Sequence, residues 1–233
     1  GKDSSTPLWS YEIGDIDNRH VNTVAISADG EYIVAGAYDD KVYLFGKDSS
    51  TPLWSYEIGD IVTSVIISAD GEYIAAGGYG DGKVYLFGKD NSTPLWNYTT
   101  EGAVRSVAIS ADGEYIVAGS HDHNVYLFNK NNNTPLQSWD VGHNVNLVDI
   151  SANGEFIIGG GRCAGKIVGC LSGGYDQIYQ FDKDNESSRK TFTFTDEVSS
   201  IAISADSKSA VVGSIDGYVH FYTLDKSGSD KGL

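Results

Sequence analysis

Short apolar runs alternate with clusters of Asp, Gly, Ser and Pro from one end of the chain to the other, and none of the runs has a helical period. In one stretch Val62-Thr-Ser-Val-Ile-Ile-Ser68 reads as a strand, and Ala69-Asp-Gly71 supplies residues that accept turn dihedrals. Tyr73-Ile-Ala-Ala-Gly-Gly78 is apolar throughout, as expected of a strand buried on both faces. Lys83-Val-Tyr-Leu-Phe87 predicts a third strand, and Lys89-Asp-Asn-Ser-Thr-Pro94 turns the chain into a fourth at Leu95-Trp-Asn-Tyr98. The unit is thus four strands, A to D, with no helix.

The unit repeats. Ile26-Ser-Ala-Asp-Gly-Glu-Tyr32 returns from Ile67 to Tyr73, from Ile109 to Tyr115 and, as Ile150-Ser-Ala-Asn-Gly-Glu-Phe156, in a fourth copy, with a worn fifth copy from Ile203 to Ser209. The anchors Ser27, Ser68, Ser110, Ser151 and Ser204 lie 41, 42, 41 and 53 residues apart, the period of a four-stranded propeller blade. The predicted fold is all-β, a five-bladed β-propeller of four-stranded antiparallel blades forming one domain over residues 1–233. Gly1 to Gly14 repeats Gly46 to Gly59 letter for letter, so the chain opens with a D strand that has no A, B and C before it. The last repeat has A to C near Val198–Ser204, Ser209–Gly213 and Tyr218–Leu224, then a polar tail over 225–233. The N-terminal strand is therefore expected to complete the last blade and close the ring, leaving no raw sheet edge. Methionine is absent and Gly1 falls inside a repeat, so the chain is expected to be a piece of a longer polypeptide whose leader lies elsewhere.

Val24-Ala-Ile-Ser-Ala-Asp-Gly30, Tyr32-Ile-Val-Ala-Gly36 and Val42-Tyr-Leu-Phe45 resemble the WD-repeat propellers, and Gly119-Ser-His-Asp122 and Gly213-Ser-Ile-Asp216 are similar to their second turn. The naming Trp-Asp pair is replaced by Phe45-Gly46, Phe87-Gly88, Phe128-Asn129, Phe181-Asp182 and Tyr222-Thr223. The family histidine that buttresses the Asp turn has only a shifted counterpart at His143. Lys47-Asp-Ser-Ser-Thr-Pro-Leu-Trp54 is similar to the tryptophan-docking repeat of quinoprotein-type (PQQ-like) propellers, which implies rim packing by Trp9, Trp54 and Trp96 but no bound quinone. Trp139 sits two positions later, in the place of Tyr56. The resemblance also implies that D–A and B–C connections share a first face, while the uniform A–B and C–D turns share the second. Local function then belongs to the first face, where the copies disagree.

Charge narrows the partners. Sixteen basic against 32 acidic side chains give a formal charge of −16, which repels phosphate backbones and anionic membranes, so neither nucleic acid nor membrane insertion is expected.

The largest disagreement is in the fourth repeat, where the 18 residues from Ser110 to Phe128 become 30 from Ser151 to Phe181. The insertion between B and C holds both cysteines, Cys163 and Cys170, with Arg162, Lys166, Ile167 and Val168, and Tyr175 follows it. A Cys163–Cys170 disulfide would close an eight-residue loop, constrain the unfolded chain by roughly 2.5 kcal/mol and imply an oxidising compartment. Two free thiols in a surface loop, or a neutral insertion, is the plainer alternative. Four extra residues at Asp17-Asn-Arg19-His20 fall on the same face, as do Tyr38, Tyr79, His121 and His123. Imidazoles bind zinc or copper only where their nitrogens converge, and solvated turns account for these, so no metal is assigned. Asp39-Asp40, Asp81, Asp122 and Asp216 are explained by each Asp capping its own turn.

No nucleophile triad, carboxylate pair or phosphate-binding loop stands out of the repeat, so neither catalysis nor a cofactor is expected. Carboxylate hydrolysis in the funnel ranks last, because strand A offers residues such as Val24, Ala25 and Ile26. The expectation is a monomeric, non-enzymatic binding scaffold, extracellular or at the cell surface, that meets a protein partner. Its alternative is a lectin-like propeller holding a glycan against Tyr38 and Tyr79.

Overall fold

The computed structural model describes residues 6–14, 20–162 and 176–226. Nineteen strands form five antiparallel sheets. The first blade is β1 (Val21–Ile26), β2 (Tyr32–Ala37), β3 (Lys41–Gly46) and β4 (Trp54–Glu57), and the second is β5 (Val62–Ile67), β6 (Tyr73–Gly78), β7 (Lys83–Gly88) and β8 (Trp96–Thr99). The third is β9 (Val104–Ile109), β10 (Tyr115–Ser120), β11 (Asn124–Asn129) and β12 (Asn132–Asp140). The fourth is β13 (Leu147–Ile150), β14 (Phe156–Arg162), β15 (Asp176–Asp182) and β16 (Asn185–Phe194), and the fifth has three strands, β17 (Val198–Ile203), β18 (Ser209–Ser214) and β19 (Val219–Thr223). Within each sheet the strands lie in sequence order, so every blade is a meander. The described residues include no helix long and apolar enough to cross a membrane.

The repeated turns explain the repeated strands. In the first blade Ser27 Oγ donates to Asp29 Oδ1 at 2.6 Å, which also accepts from Glu31 N, while Tyr32 N donates back to Ser27 Oγ. The same knot closes the A–B turn at Ser68, Ser110, Ser151 and Ser204. Gly30, Gly71, Gly113 and Gly154 hold the positive φ that reverses the chain there. At the B–C turn Asp39 accepts from Lys41 N and from the Tyr43 hydroxyl, and Asp81 and Asp122 do the same for Lys83 and Tyr85 and for Asn124 and Tyr126. The turn aspartates are therefore caps, as expected.

Neighbouring blades mate through one recurring contact. A Cβ on Gly36, Gly77 or Gly119 would lie 2.4, 2.7 or 2.6 Å from a methyl of Val62, Val104 or Val145, the valine that leads into the next blade. Glycine in strand B is thus the hole into which the next valine fits. Around it, Val34, Val42 and Leu44 of the first blade pack on Val65, Ile67 and Phe87 of the second, and equivalent clusters join each later pair. Each β4-type tryptophan reaches across as well: Trp54 lies 5.4 Å from Phe87 and donates to Lys89 O, and Trp96 does the same with Phe128 and Lys130 O. Trp139, in register with Val125 as Tyr56 is with Val42, stacks on Phe181 at 4.5 Å.

Polar links reinforce the joint. The innermost strand has a free edge, and its N–H groups are covered by the preceding blade. Val65 N, Val107 N and Val148 N donate to Thr23, Ser64 and Ser106 hydroxyls. Leu147 stands where the fourth blade would offer a hydroxyl, and Asp149 instead accepts from Ile203 N at 2.7 Å. The A–B turns are chained too, by Ala28 N to Ala69 O, Ala69 N to Ala111 O and Ala111 N to Ala152 O, each 3.0 Å.

The two ends differ from the interior. Residues 6–14 form no strand, and no ladder joins them to β19 among the described residues. They nevertheless sit on the first blade as β4 sits on the second: Trp9 lies 5.4 Å from Phe45 and donates to Lys47 O, and Ile13 is buried with Ala37 and Tyr43. Val24 and Ile26 of β1 are 65 and 61 % exposed, whereas their counterparts Val65 and Ile67 are 4 and 5 % exposed. On β19, Val219 and Phe221 are 76 and 68 % exposed, where the matching Val42 and Leu44 are covered. Each terminal blade therefore presents an unmated apolar face.

Gly77→Ala is expected to destabilise the domain by about 1–3 kcal/mol through overpacking on Val104, while Gly46→Ala, whose Cβ would meet nothing nearer than Leu53 at 4.0 Å, should be close to neutral in urea unfolding. Burial raises the Asp149 carboxyl above the usual 3.8, against the pull of the Ile203 and Ile150 amides. The folded state then holds this proton to higher pH than the unfolded chain does, so its contribution is full below the usual value and is lost as pH rises through the raised one. Asp149→Asn should flatten the fall in stability as pH rises above the usual carboxylate value, measured by urea unfolding, and an unchanged slope would refute the assignment.

Candidate functional site

The first face is built from two positions that the repeat leaves free. One is the residue five before each serine anchor: Asn22, Thr63, Arg105, Asn146 and Ser199. In four blades the ladder slips across this residue, pairing Val21 and Thr23, Val62 and Ser64, Val104 and Ser106, and Val198 and Ser200 with strand B but not the residue between them. Such a bulge re-aims the side chain it carries. The other is the residue after strand B, Tyr38, Tyr79, His121 or Ile215, whose N–H donates to the carbonyl of His20, Ile61, Ala103 or Glu197 just before strand A. These bonds hold the B–C turn of each blade against its own D–A loop.

Between the first three blades these positions enclose a cavity of about 340 Å³ lined by Asn22, Tyr38, Ile61, Thr63, Tyr79 and Arg105. Tyr38 and Tyr79 are 39 and 47 % exposed. The Arg105 guanidinium lies 5.5 Å from the Tyr79 ring centroid, within cation–π range. His20 packs against Tyr38 with ring centroids 5.3 Å apart. Asn22 Nδ2 donates to Val62 O and lies 3.2 Å from Thr63 O, and Thr63 Oγ1 lies within hydrogen-bond reach of Gly77 O and Val104 O, so Asn22 is fixed by backbone of the next blade and Thr63 by backbone of its own and the next. One step along the row, His121 Nε2 meets Asn146 Oδ1 at 3.0 Å.

The charges around the cavity are mostly acidic. Burial, and then Asp60, Glu57 and Asp39 nearby, raise the Asp40 carboxyl. Beneath the turns, burial and the Asp39, Asp81 and Asp122 partners push the Tyr43, Tyr85 and Tyr126 phenols well above their ordinary value, so they remain donors. The second face is different in kind: Lys47, Lys89 and Lys130 pair with Glu31, Glu72 and Glu114. Lys89, Lys130 and Lys183 also lie over Tyr32, Tyr73 and Tyr115 of the preceding blade. Its cations are engaged; Arg105 has no ion pair among the described residues.

Of the residues singled out from sequence, Tyr38 and Tyr79 line one cavity, and His20 flanks it. His121 belongs to the next step of the row, and His123, at φ 78°, only turns the chain. The structure places Arg162 at the end of β14, in register with Asp176. Arg19, Cys163, Lys166, Ile167, Val168, Cys170 and Tyr175 lie outside the described residues, and the disulfide with them. His143 departs from a solvated loop: it is buried, stacked on Tyr179 at 5.8 Å. No group of three metal-ligating side chains occurs among the described residues. Arg105, Asn22, Thr63 and Ile61 were not singled out from sequence, although alignment on the serine anchors shows that the copies disagree at all four.

The WD domain, G-beta repeat family profile matches residues 12–45, 51–87, 92–129 and 187–223. These segments make up more than half of the chain, which belongs to this family. The unmatched stretch between the third and fourth matches contains the fourth-blade insertion. Among the curated proteins none matches the chain.

Proposed function

We propose that this WD-repeat domain is a non-enzymatic platform for protein recognition, extracellular or at the cell surface, that meets its partner with the first face. WD domains commonly serve as protein-interaction scaffolds. The observation that carries the reading for this chain is the segregation of its repeats. Most of what is uniform is used for turns and blade joints, and the variable positions of the first three blades meet on one concave, aromatic surface. A platform that keeps its joints constant and varies its mouth binds by shape and chemistry there.

The reading includes a ring of five sectors closed by residues 6–14 acting as the fourth strand of the last blade, with Trp9 in the docking role of Trp54 and Trp96. The exposed faces of β1 and β19 favour it, since mating them buries Val24, Ile26, Val219 and Phe221 together. By the register of Tyr43 with Ser55, closure sets Ser10 opposite His220. Ser10→Cys with His220→Cys should then form an intramolecular disulfide under mild oxidation, and a pair that stays reduced, or links only between molecules, counts against the ring.

Panning a random peptide library on the full chain should yield binders that Tyr38→Ala with Tyr79→Ala loses at least tenfold in affinity while the far-ultraviolet spectrum and unfolding midpoint hold. Binding confined to a glycan array would replace the protein partner by a sugar.

A further inference from the structure

We propose that the cavity between the first three blades is a carboxylate site, taking one acidic group of a partner polypeptide against Arg105. The proposal rests on the reading of the first face as a recognition surface and names what that surface grips.

The donors that the cavity leaves unspent define the ligand. Among the described residues Arg105 has only the Tyr79 ring, and the hydroxyls of Tyr38 and Tyr79 have no hydrogen-bond partner, whereas the Asn22 amide and Thr63 hydroxyl are committed to backbone carbonyls. What the cavity has left to offer is therefore a guanidinium fork and two phenol O–H groups. An ionised carboxylate is the group that only accepts, and its two oxygens match the fork. A lysine could not supply the planar pair of N–H groups, nor stack as Arg105 does on Tyr79.

Charge sets the limit on the ligand. The molecule carries −16, Asp39, Asp40 and Asp60 stand in the turns next to Tyr38 and Ile61, and Glu57 ends β4 near Asp40. One guanidinium against that background suits a monoanion better than a phosphate near minus two. The two rings add apolar walls on which the methylenes of a glutamate side chain, or the last residue of a chain, can rest. The cavity, at about 340 Å³, is at the small end of ligand sites and fits one side chain rather than a folded module.

Binders from the random library, synthesised as acid and amide pairs at each acidic position and at the C-terminus, provide the test by fluorescence anisotropy on the full chain. One position should stand out, with the amide at least tenfold weaker, and the position tells a side chain from a terminal carboxylate. Arg105→Gln should weaken the acid peptide tenfold or more and abolish the difference between acid and amide, while Arg105→Lys retains part of it and Tyr79→Phe a larger part. Arg105 is exposed, so unfolding midpoints should not move. If binders lose affinity on Tyr38→Ala with Tyr79→Ala but ignore Arg105 and amidation, the recognition surface stands and the carboxylate assignment falls. If a phosphoserine peptide is preferred, or a uronate oligosaccharide binds through Arg105 and no peptide does, the ligand class is wrong. If nothing binds the first face, both readings fall.

Discussion

The innermost strand of each blade has one edge with no sheet neighbour, and covering that edge governs the assembly. An uncovered backbone donor in a tight joint is costly. The fold supplies acceptors from the blade before: Thr23, Ser64 and Ser106 hydroxyls for Val65, Val107 and Val148, and the Asp149 carboxylate for Ile203. At the first three joints these bonds accompany the entry of the next blade's valine into the strand-B glycine hole. Hydrogen bonding and close packing thus select the same spacing, and each blade is held in place by its neighbour rather than by its own small core.

The same joint makes room for function. Strand A must bend where it meets the next blade, and the ladder does this by slipping past one residue. That residue is excused from pairing in the ladder, and so the position accepts side chains as different as Asn22, Thr63 and Arg105. On the opposite face the serine–aspartate knot, the Lys–Glu pairs and the Lys–Tyr contacts recur from blade to blade and hold those turns to one pattern. Variation is therefore steered to one mouth by mechanics.

Much of this was legible in the residues. The strands and turns followed from local chemistry that recurs, and even the shifted Trp139 was placed correctly opposite Val125, because one copy indexes the others. Tyr38 and Tyr79 announced themselves as aromatic residues in polar turns. Arg105 did not, since a bulge cannot be seen in a single strand; simple alternation assigns it a neighbour that the ladder skips. His143 looks like loop beside Gly142, and its burial is due to Tyr179, which arrives 36 residues later from the far side of an insertion. The identity of the N-terminal ribbon with Gly46 to Gly59 marks it as a D strand and predicts that it completes the last blade. The structure seats it against Phe45 and Lys47 of the first blade, with no ladder to β19 among the described residues, because that pairing depends on the angles of four joints in series, which no single repeat encodes.

The alanine chain across the turns has a direction. Ala28 gives its amide to Ala69, Ala69 to Ala111 and Ala111 to Ala152, always toward the C-terminus. The shielding of each of these amides from solvent deuterium therefore belongs to the sector downstream, and opening one seam leaves a labile amide on its upstream lip only. Along this row fraying is polarised: losing the fourth sector bares the Ala111 donor of its predecessor, while losing the first bares only the Ala69 acceptor, which water satisfies without any exchange to record.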